Sequence, residues 1–412
     1  MRVLLVVGRF PEPSQTFVVS HMLGLLDHGV DAHVLCSASD ARAWERFPQL
    51  AGRARHRVHL HAPREEPRAT VRGLRRALPA LLRRPLRSRR ALAAVVRGQP
   101  AAEAARRLLL GVRVLALRPD LVHFEFGSDA VGATWLGDLL DCPVVVSLRG
   151  YDVNYEGLDV PGYLADVWAR ADAIHCLGDD LWRRAQLRGC PPGVLHRLIP
   201  PAVDTRRFAP DGRHRPAGGS LVVVTVARLH WKKGYEHGLL ALRMLLDEGV
   251  DLEYRIVGSG PHEEAVQACV RELGLEGHVR LRGDAPPGHV LAELRAADVL
   301  LHAAVSEGFC NAVLEAQAVE VPVVCTDADG LRENVVDGVT GIVVPRRDPG
   351  ALAAALRRLA DDAELRRRMG RAGRRHVAER FRPAGQIAAF LELYDAARVT
   401  ARRGPAARAP GR

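Results

Sequence analysis

At 412 residues, with 48% hydrophobic and 26% charged residues, the chain has the composition of a globular protein too long for one hydrophobic core, so two domains are expected. No apolar stretch reaches the ~18 residues that a membrane-spanning helix needs. The seven cysteines are scattered, odd in number and without a CxxC pair, which argues against a disulfide framework or a zinc site and for a reducing cytoplasm.

The net charge of +11 is unevenly placed. Residues 64–118 hold fifteen arginines against Glu65, Glu66 and Glu103, so the rest of the chain is close to neutral. Such a block points to a polyanionic surface. It contains no aromatic residue on which nucleic-acid bases could stack, so nucleic acid is not expected and anionic lipid is the partner it suits. Peripheral attachment to the inner face of the membrane is the matching expectation.

Residues 1–8 are too short an apolar run for a signal peptide and read as a first buried strand. A loop through Gly8, Phe10, Pro11 and Ser14 follows, then a predicted helix from Thr16 to Leu26 and a strand over residues 31–36. This is a βαβ start, but without GxGxxG, so a dinucleotide fingerprint is absent. Residues 64–118 alternate Arg with Leu and Ala at helical spacing, broken at Pro79, Pro85 and Pro100, and predict two or three short amphipathic helices. Residues 121–124 predict a strand leading into Glu125, Phe126, Gly127 and Ser128. Residues 143–148 predict another, ending in Arg149, Gly150, Tyr151 and Asp152, and residues 173–177 a third, followed by a helix through Trp182.

Between residues 199 and 220 the composition shifts to Pro, Gly, Arg and Asp, the best linker candidate. A second βα series then predicts strands at 221–226, 252–257, 279–281, 299–301, 321–325 and 340–344. Asp348 and Pro349 mark a helix start, as cap and first helical residue. Residues 403–412 lack a core pattern and are expected to be disordered. The predicted architecture is α/β, two Rossmann-like parallel-sheet halves with a cleft between them.

The stretch with most chemistry is residues 306–315. Glu307 stands at a loop mouth after a strand, and a glycine turn opens into a helix. Glu315 lies one turn beyond Asn311 on the same face. The helix start presents the amides of Gly308, Phe309, Cys310 and Asn311 to sugar hydroxyls or phosphate, at the strand carboxyl ends where parallel sheets bind ligands. Arg228 and Lys233 follow the first strand of the second half, where a planar fork and a compact point charge suit a diphosphate. Lys232 and Lys233 are the chain's only lysines. Gly258 and Gly260, in the turn after the next strand, allow backbone to approach a ligand closely.

These pieces, together with Gly338, Val339, Thr340 and Gly341, resemble in order the family-four retaining glycosyltransferases of the GT-B fold. The likeness covers most of residues 199–382. In the first half, Phe10 and Pro11, Ser14 through Phe17, His123 through Gly127, Gly150 through Asp152, and Val203, Asp204 and Phe208 look like the branch that builds exopolysaccharides such as colanic acid and amylovoran. The resemblance implies an acceptor-binding domain at 1–205 and a nucleotide-sugar domain at 206–382. It also implies a helix at 383–400 crossing back to the first domain and a tail at 401–412.

It further implies a hexosyl transfer with retention and without a metal or other cofactor, from a nucleotide-diphosphate sugar to a lipid-linked saccharide or small-molecule acceptor. The implied catalytic set is Glu307, Arg228, Lys233, His123, Glu125 and Arg149. Gly8, Gly258, Gly260, Glu315 and residues 308–311 would help bind the donor. Ser14, Thr16, Glu125, Arg149 and Asp152 would serve the acceptor. The chain departs from the branch at Glu125 and Arg149, both usually histidine there, and Arg149 cannot act as a base. That departure motivates two alternative readings, a non-catalytic partner that binds sugar nucleotides and a sugar-nucleotide epimerase on the same fold.

Overall fold

The computed structural model describes residues 1–12, 15–60, 99–212 and 219–402. The chain forms two compact units. The first comprises Met1–Leu177, Leu181–Ile199 and the chain from Ile387 onward; the second comprises Gly178–Asp180 and Pro200–Gln386.

In the first unit, the strands β1 (Arg2–Arg9), β2 (Asp31–Ala38), β3 (Val58–Leu60), β4 (Leu121–Phe124), β5 (Val144–Leu148), β6 (Ala173–Cys176) and β7 (His196–Leu198) pair in parallel in the order β3-β2-β1-β4-β5-β6-β7. In the second, β8 (Leu221–Val226), β9 (Leu252–Val257), β10 (Val279–Gly283), β11 (Val299–His302), β12 (Val323–Thr326) and β13 (Gly341–Val344) pair in parallel in the order β10-β9-β8-β11-β12-β13. Every residue of β4, β5, β6, β11 and β12 is buried, as expected of central strands covered on both faces. The short edge strands β3 and β7 are half-buried to exposed and have no apolar run to announce them.

Both sheets reverse their strand order beside the first strand, between β1 and β4 and between β8 and β11. At such a point neighbouring connections run to opposite faces and leave a crevice at the strand carboxyl ends. Arg228 and Lys233 follow β8 and Glu307 follows β11; Gly8 closes β1 and Glu125 follows β4. Topology therefore brings each group of candidate residues to a switch point.

Helices cover the sheets. Among them are α1 (Thr16–Asp27), α2 (Ala101–Leu117), α3 (Asn311–Ala318), α4 (Pro349–Asp361) and α5 (Pro383–Arg402). Asp348 caps α4 as predicted, accepting the Ala351 N–H at 2.9 Å. The described part of the linker candidate carries no helix or strand. Ser14, the basic residues between 64 and 98, and residues 403–412 lie outside the described residues.

The last helix packs on the first unit. Ile387, Phe390, Leu393, Tyr394 and Ala397 recur at helical spacing and are buried in one core with Val3, Leu5, Val18 and Met22. Gly24 permits this contact, because a Cβ there would lie 2.5 Å from the Ile387 Cδ1. The Tyr394 hydroxyl lies 2.6 Å from His123 Nδ1 and 3.1 Å from His21 Nε2. Tyr394→Phe leaves both imidazoles without that buried partner and is expected to lower stability by about 1–2 kcal/mol. Urea denaturation measures this, and an unchanged midpoint would mean that the hydroxyl does not anchor α5.

Candidate active site

The loop after β11 is clamped on two sides. On one, the amides of Val305 and Ser306 donate to the Lys232 carbonyl at 2.8 and 3.3 Å. On the other, Ser306 Oγ donates to Asp329, the Glu307 amide donates to Asp329 Oδ2 at 3.2 Å, and the Gly330 amide donates to the Glu307 carbonyl at 3.0 Å. Arg346 reaches both the Val305 carbonyl and Asp329 Oδ1, each at 3.1 Å. Gly330 is required at this approach, since a Cβ there would lie 2.1 Å from the Gly308 carbonyl oxygen.

The clamp fixes the Glu307 side chain against two cations. Its carboxylate accepts from Lys233 Nζ and lies 3.2 Å from His302 Nε2. The Glu307 and Lys233 side chains are only 11% and 12% exposed. Burial alone would raise the Glu307 carboxyl, but the Lys233 ammonium and His302 outweigh it and hold the group below the usual carboxylate range. Burial works against the His302 cation as well, yet Cys310 and Glu307 beside it push the imidazole up to about 9. Arg228 stands exposed on the loop between β8 and β9. Lys233 thus rests on Glu307, while Arg228 faces solvent.

Cys310 precedes α3 as its N-cap residue. The expectation of four open amides needs one correction. The Cys310 amide already donates to Asn334 Oδ1 at 3.2 Å, and the Asn334 side-chain amide returns a bond to the Cys310 carbonyl at 3.0 Å. Gly308, Phe309 and Asn311 supply the remaining amides of that stretch. Glu315, half-buried on α3, has its carboxyl raised to about 7 by burial, with Arg207 acting in the opposite direction.

Gly258 and Gly260 also differ from expectation. Added Cβ atoms would lie 2.1 Å from the Ala227 carbonyl oxygen and 2.3 Å from the Leu229 carbonyl oxygen. Their close approach is therefore to the Arg228 loop of the chain itself. The amides of Ala227 and Leu229 donate to Val257 and Ser259, and that of His262 to Leu229. The turn is the scaffold that holds Arg228.

In the first unit the histidines form a continuous buried chain. His175 Nε2 lies 2.8 Å from the Ile199 carbonyl, His175 Nδ1 2.7 Å from Ser147 Oγ, and Ser147 Oγ 2.7 Å from His123 Nε2. His123 continues through Tyr394 to His21, whose Nδ1 lies 2.7 Å from Glu125 Oε1. Arg149 Nη2 donates to Glu125 Oε2 at 2.6 Å and Nε to the Glu125 carbonyl at 3.2 Å. Its guanidinium lies over the Phe17 ring at 4.4 Å. Both ends of this chain, a carbonyl and a carboxylate, only accept, so it needs one proton more than three neutral imidazoles supply. Burial keeps His123, pushed down to about 3, and His175 neutral. Burial would raise Glu125, but His21, His123 and Arg149 hold it low.

Several first-half candidates are therefore engaged internally. His123 is fully buried with both ring nitrogens bonded, so its reach is to Ser147 and Tyr394 and not to an open surface. Glu125 is fully buried between Arg149 and His21, which corrects its expected open place on the acceptor side. Asp152, 1% exposed, is likewise corrected from acceptor contact to loop anchor, because it accepts the amides of Gly127, Arg149 and Gly150 at 2.7, 3.0 and 2.9 Å. Thr16 is exposed at the start of α1. Gly8 donates its amide to Asp129 Oδ2 at 3.2 Å, and both line a cavity of about 170 Å³ with Ser37, Arg107 and Trp135. Burial raises the Asp129 carboxyl to about 7.

Sequence reasoning missed His302, Asp329, Asn334 and Arg346 in the second unit, and His21, Ser147, His175 and Tyr394 in the first. His21 alone carried a local signal, as a polar residue on the buried face of α1 beside Val18, Met22 and Leu25. The others are joined to their partners by tertiary structure and have no motif.

Residues 211–376 match the family model described as glycosyl transferases group 1. The chain is similar, at 31% identity over 377 residues, to the putative colanic acid biosynthesis glycosyltransferase WcaL of Escherichia coli K12, with 86% of this chain and 90% of that protein covered. It is 32% identical over 270 residues to the GDP-mannose-dependent alpha-(1-6)-phosphatidylinositol monomannoside mannosyltransferase of Mycolicibacterium smegmatis, covering 62% of this chain and 70% of that one. The crystal structure of Anabaena Alr3699/HepE in complex with UDP shares the fold at a TM-score of 0.71 and 16% identity, over 95% of this chain and 99% of that one. Two parallel-sheet units with the predicted motifs at their switch points, and kinship along most of the chain, lead to one assignment: the protein belongs to the group 1 glycosyltransferases and has the GT-B fold.

Proposed function

We propose that the protein transfers a sugar from a nucleotide-diphosphate donor, held by the second unit, to a lipid-linked saccharide or small-molecule acceptor served by the first. The transfer retains anomeric configuration and uses no metal. The observation that carries this reading is the buried Lys233–Glu307 pair at the β8/β11 switch point, beside exposed Arg228. The WcaL relative supports an exopolysaccharide-type acceptor, and the UDP bound to HepE supports a nucleotide donor.

In this reading the amides of Gly308, Phe309 and Asn311 and the Glu307 carboxylate hold sugar hydroxyls. Glu315 holds the ribose, and Arg228 with Lys233 takes the diphosphate. Departure of the phosphate builds negative charge that Lys233 can meet by turning from Glu307, while the helix start adds its dipole. Acceptor attack comes on the face the phosphate leaves, and the phosphate oxygen takes the acceptor proton. A divalent ion has little to add where two cations already serve the diphosphate. His302, Glu307 and Cys310 could together ligate a metal, but Glu307 is shared with the Lys233 ammonium. Gly8, Thr16 and the Asp129 cavity are the open polar features offered to an acceptor, and Arg149 acts as a fixed charge. Arg149 in place of a base also suits a binder without turnover. Release of nucleoside diphosphate, assayed with and without acceptor across UDP-, GDP-, ADP- and dTDP-sugars, separates the two readings.

Glu307→Gln should lower kcat about 10- to 100-fold, the value of a charged hydrogen bond worth ~1.5–3 kcal/mol, while nucleoside diphosphate affinity stays near wild type. Arg228→Ala and Lys233→Ala should each lower kcat more than they raise the donor KM. Full activity in the double variant would remove the diphosphate from this loop.

Glu315 gives a test by pH. Its carboxyl, near 4.5 when unfolded and about 7 when folded, binds its proton more tightly in the native state. That contribution is complete below the unfolded value and is lost as pH rises through about 7. The wild-type melting temperature should therefore fall relative to Glu315→Gln between pH 5 and 8, and parallel curves would contradict the burial of this group.

For the basic block, we propose peripheral docking on anionic lipid. No helix among the described residues is long and apolar enough to cross a membrane. On α2, Arg106 and Arg107 both pair with Glu103. Each arginine engaged is worth about 1 kcal/mol. Liposome flotation should recover the protein with phosphatidylserine vesicles at low salt, and equal recovery with neutral vesicles would end the idea.

A further inference from the structure

Cys310 is set apart from the other cysteines by its surroundings. Burial pushes the thiols of Cys36 up to about 11 and of Cys142 and Cys190 up to about 12, and it raises Cys269 and Cys325 as well. These are inert, core-like environments. Cys310 instead has its Sγ 3.9 Å from His302 Nδ1, while His302 Nε2 lies 3.2 Å from Glu307 Oε2. With Nε2–H donated to the carboxylate, the charged His302 ring turns Nδ1–H toward the sulfur. This is the nucleophile–base–orienting-carboxylate order that activates a sulfur. The Lys233 ammonium is held on the same Glu307 carboxylate and adds a second cation to the cluster.

We propose that Cys310 is an oxidation site that shuts the donor loop, an inference whose regulatory consequence rests on the donor assignment above. The reagent is a small hydroperoxide, and Cys310 is 6% exposed. The thiol proton rests on His302 as the imidazolium, and Sγ attacks one peroxide oxygen. The S–O bond forms as the O–O bond breaks, and the departing alkoxide or hydroxide takes the proton back from His302 and leaves as alcohol or water. Sulfur loses two electrons and the peroxide gains them. The product is a sulfenic acid, larger and more polar, at the residue that joins Glu307 to α3. It adds an oxygen among the amides assigned to the donor sugar and removes the thiol from His302. A thiol reductant reverses the step.

The test uses the intact protein, brief iodoacetamide labelling and peptide mass spectrometry, with half-exposed Cys269 as the internal standard. Thiolate sulfur displaces iodide, so the rate reads the activation directly. Cys310 should label about tenfold faster than Cys269, and His302→Gln should cut the Cys310 rate by about the same factor with the Cys269 rate unchanged. Equal rates at Cys310 and Cys269, or an undiminished Cys310 rate in His302→Gln, would overturn the proposal. An unchanged Cys269 rate shows that the variant is folded. The same reaction with UDP or GDP present separates the two assignments. Protection of Cys310 supports both, whereas fast labelling without protection by any nucleoside diphosphate supports the reactive cysteine and contradicts the donor site. A loss of nucleoside diphosphate binding after peroxide, restored by dithiothreitol, is the expected regulatory readout, and unchanged binding by sulfenylated protein would overturn the switch.

Discussion

A carboxylate buried at the end of a parallel strand cannot remain ionised without cations in contact, and at Glu307 that constraint arranges the whole second-unit site. Lys233 must come in from the loop after β8 and His302 from the end of β11. Each approach is made possible by glycine. Gly258 and Gly260 let the β9 turn press on the backbone that carries Arg228, Gly234 (φ 61°) ends the turn that carries Lys233, and Gly330 lets the loop behind Glu307 close. Removing one partner of such a pair leaves a buried uncompensated charge, a larger loss than the pair itself is worth. The arrangement is thus stiff at rest, and a phosphate that competes for Lys233 draws on a cation already in place.

The first unit meets the same constraint in the same position. Glu125 follows β4 as Glu307 follows β11, each beside its sheet's switch point. Each carboxylate is held by one histidine and one fixed cation: His21 and Arg149 in the first unit, His302 and Lys233 in the second. The difference lies in what is left over. Around Glu307 the loop retains amides and an exposed arginine, whereas Glu125 is fully buried and its His21 partner is held against α5 by Tyr394 and Phe390. Glu125 and Arg149 are therefore one compensated pair: a carboxylate and a guanidinium 2.6 Å apart balance each other's buried charge.

Much of this was legible in the sequence because central parallel strands are apolar throughout. Residues 121–124, 221–226 and 252–257 were bounded to the residue, and neighbouring strands to within one or two. The three-residue edges β3 and β7 had no such signal. The places of Glu307, Arg228 and Lys233 just after strand ends, and of Glu315 on the helix that follows, were readable from the strand and helix pattern. Their partners were not. The Tyr394–His21 bond joins residues 373 positions apart, and nothing local in the Tyr394 segment announces it. The errors share one physical cause. Asp152, Gly258, Gly260 and the Cys310 amide had been assigned to a ligand, and the fold uses each to satisfy or accommodate its own backbone. A buried loop must satisfy its own peptide groups before it offers any to a ligand.

The central claim is that the diphosphate of a sugar nucleotide binds between Arg228 and Lys233 at the β8/β11 switch point. A crystal structure of the protein with a bound nucleoside diphosphate tests it most directly. The account places phosphate oxygens within about 3 Å of the Arg228 guanidinium and Lys233 Nζ, with the ribose on Glu315. A nucleotide bound elsewhere, with the Lys233–Glu307 pair undisturbed and Arg228 still facing solvent, would contradict it.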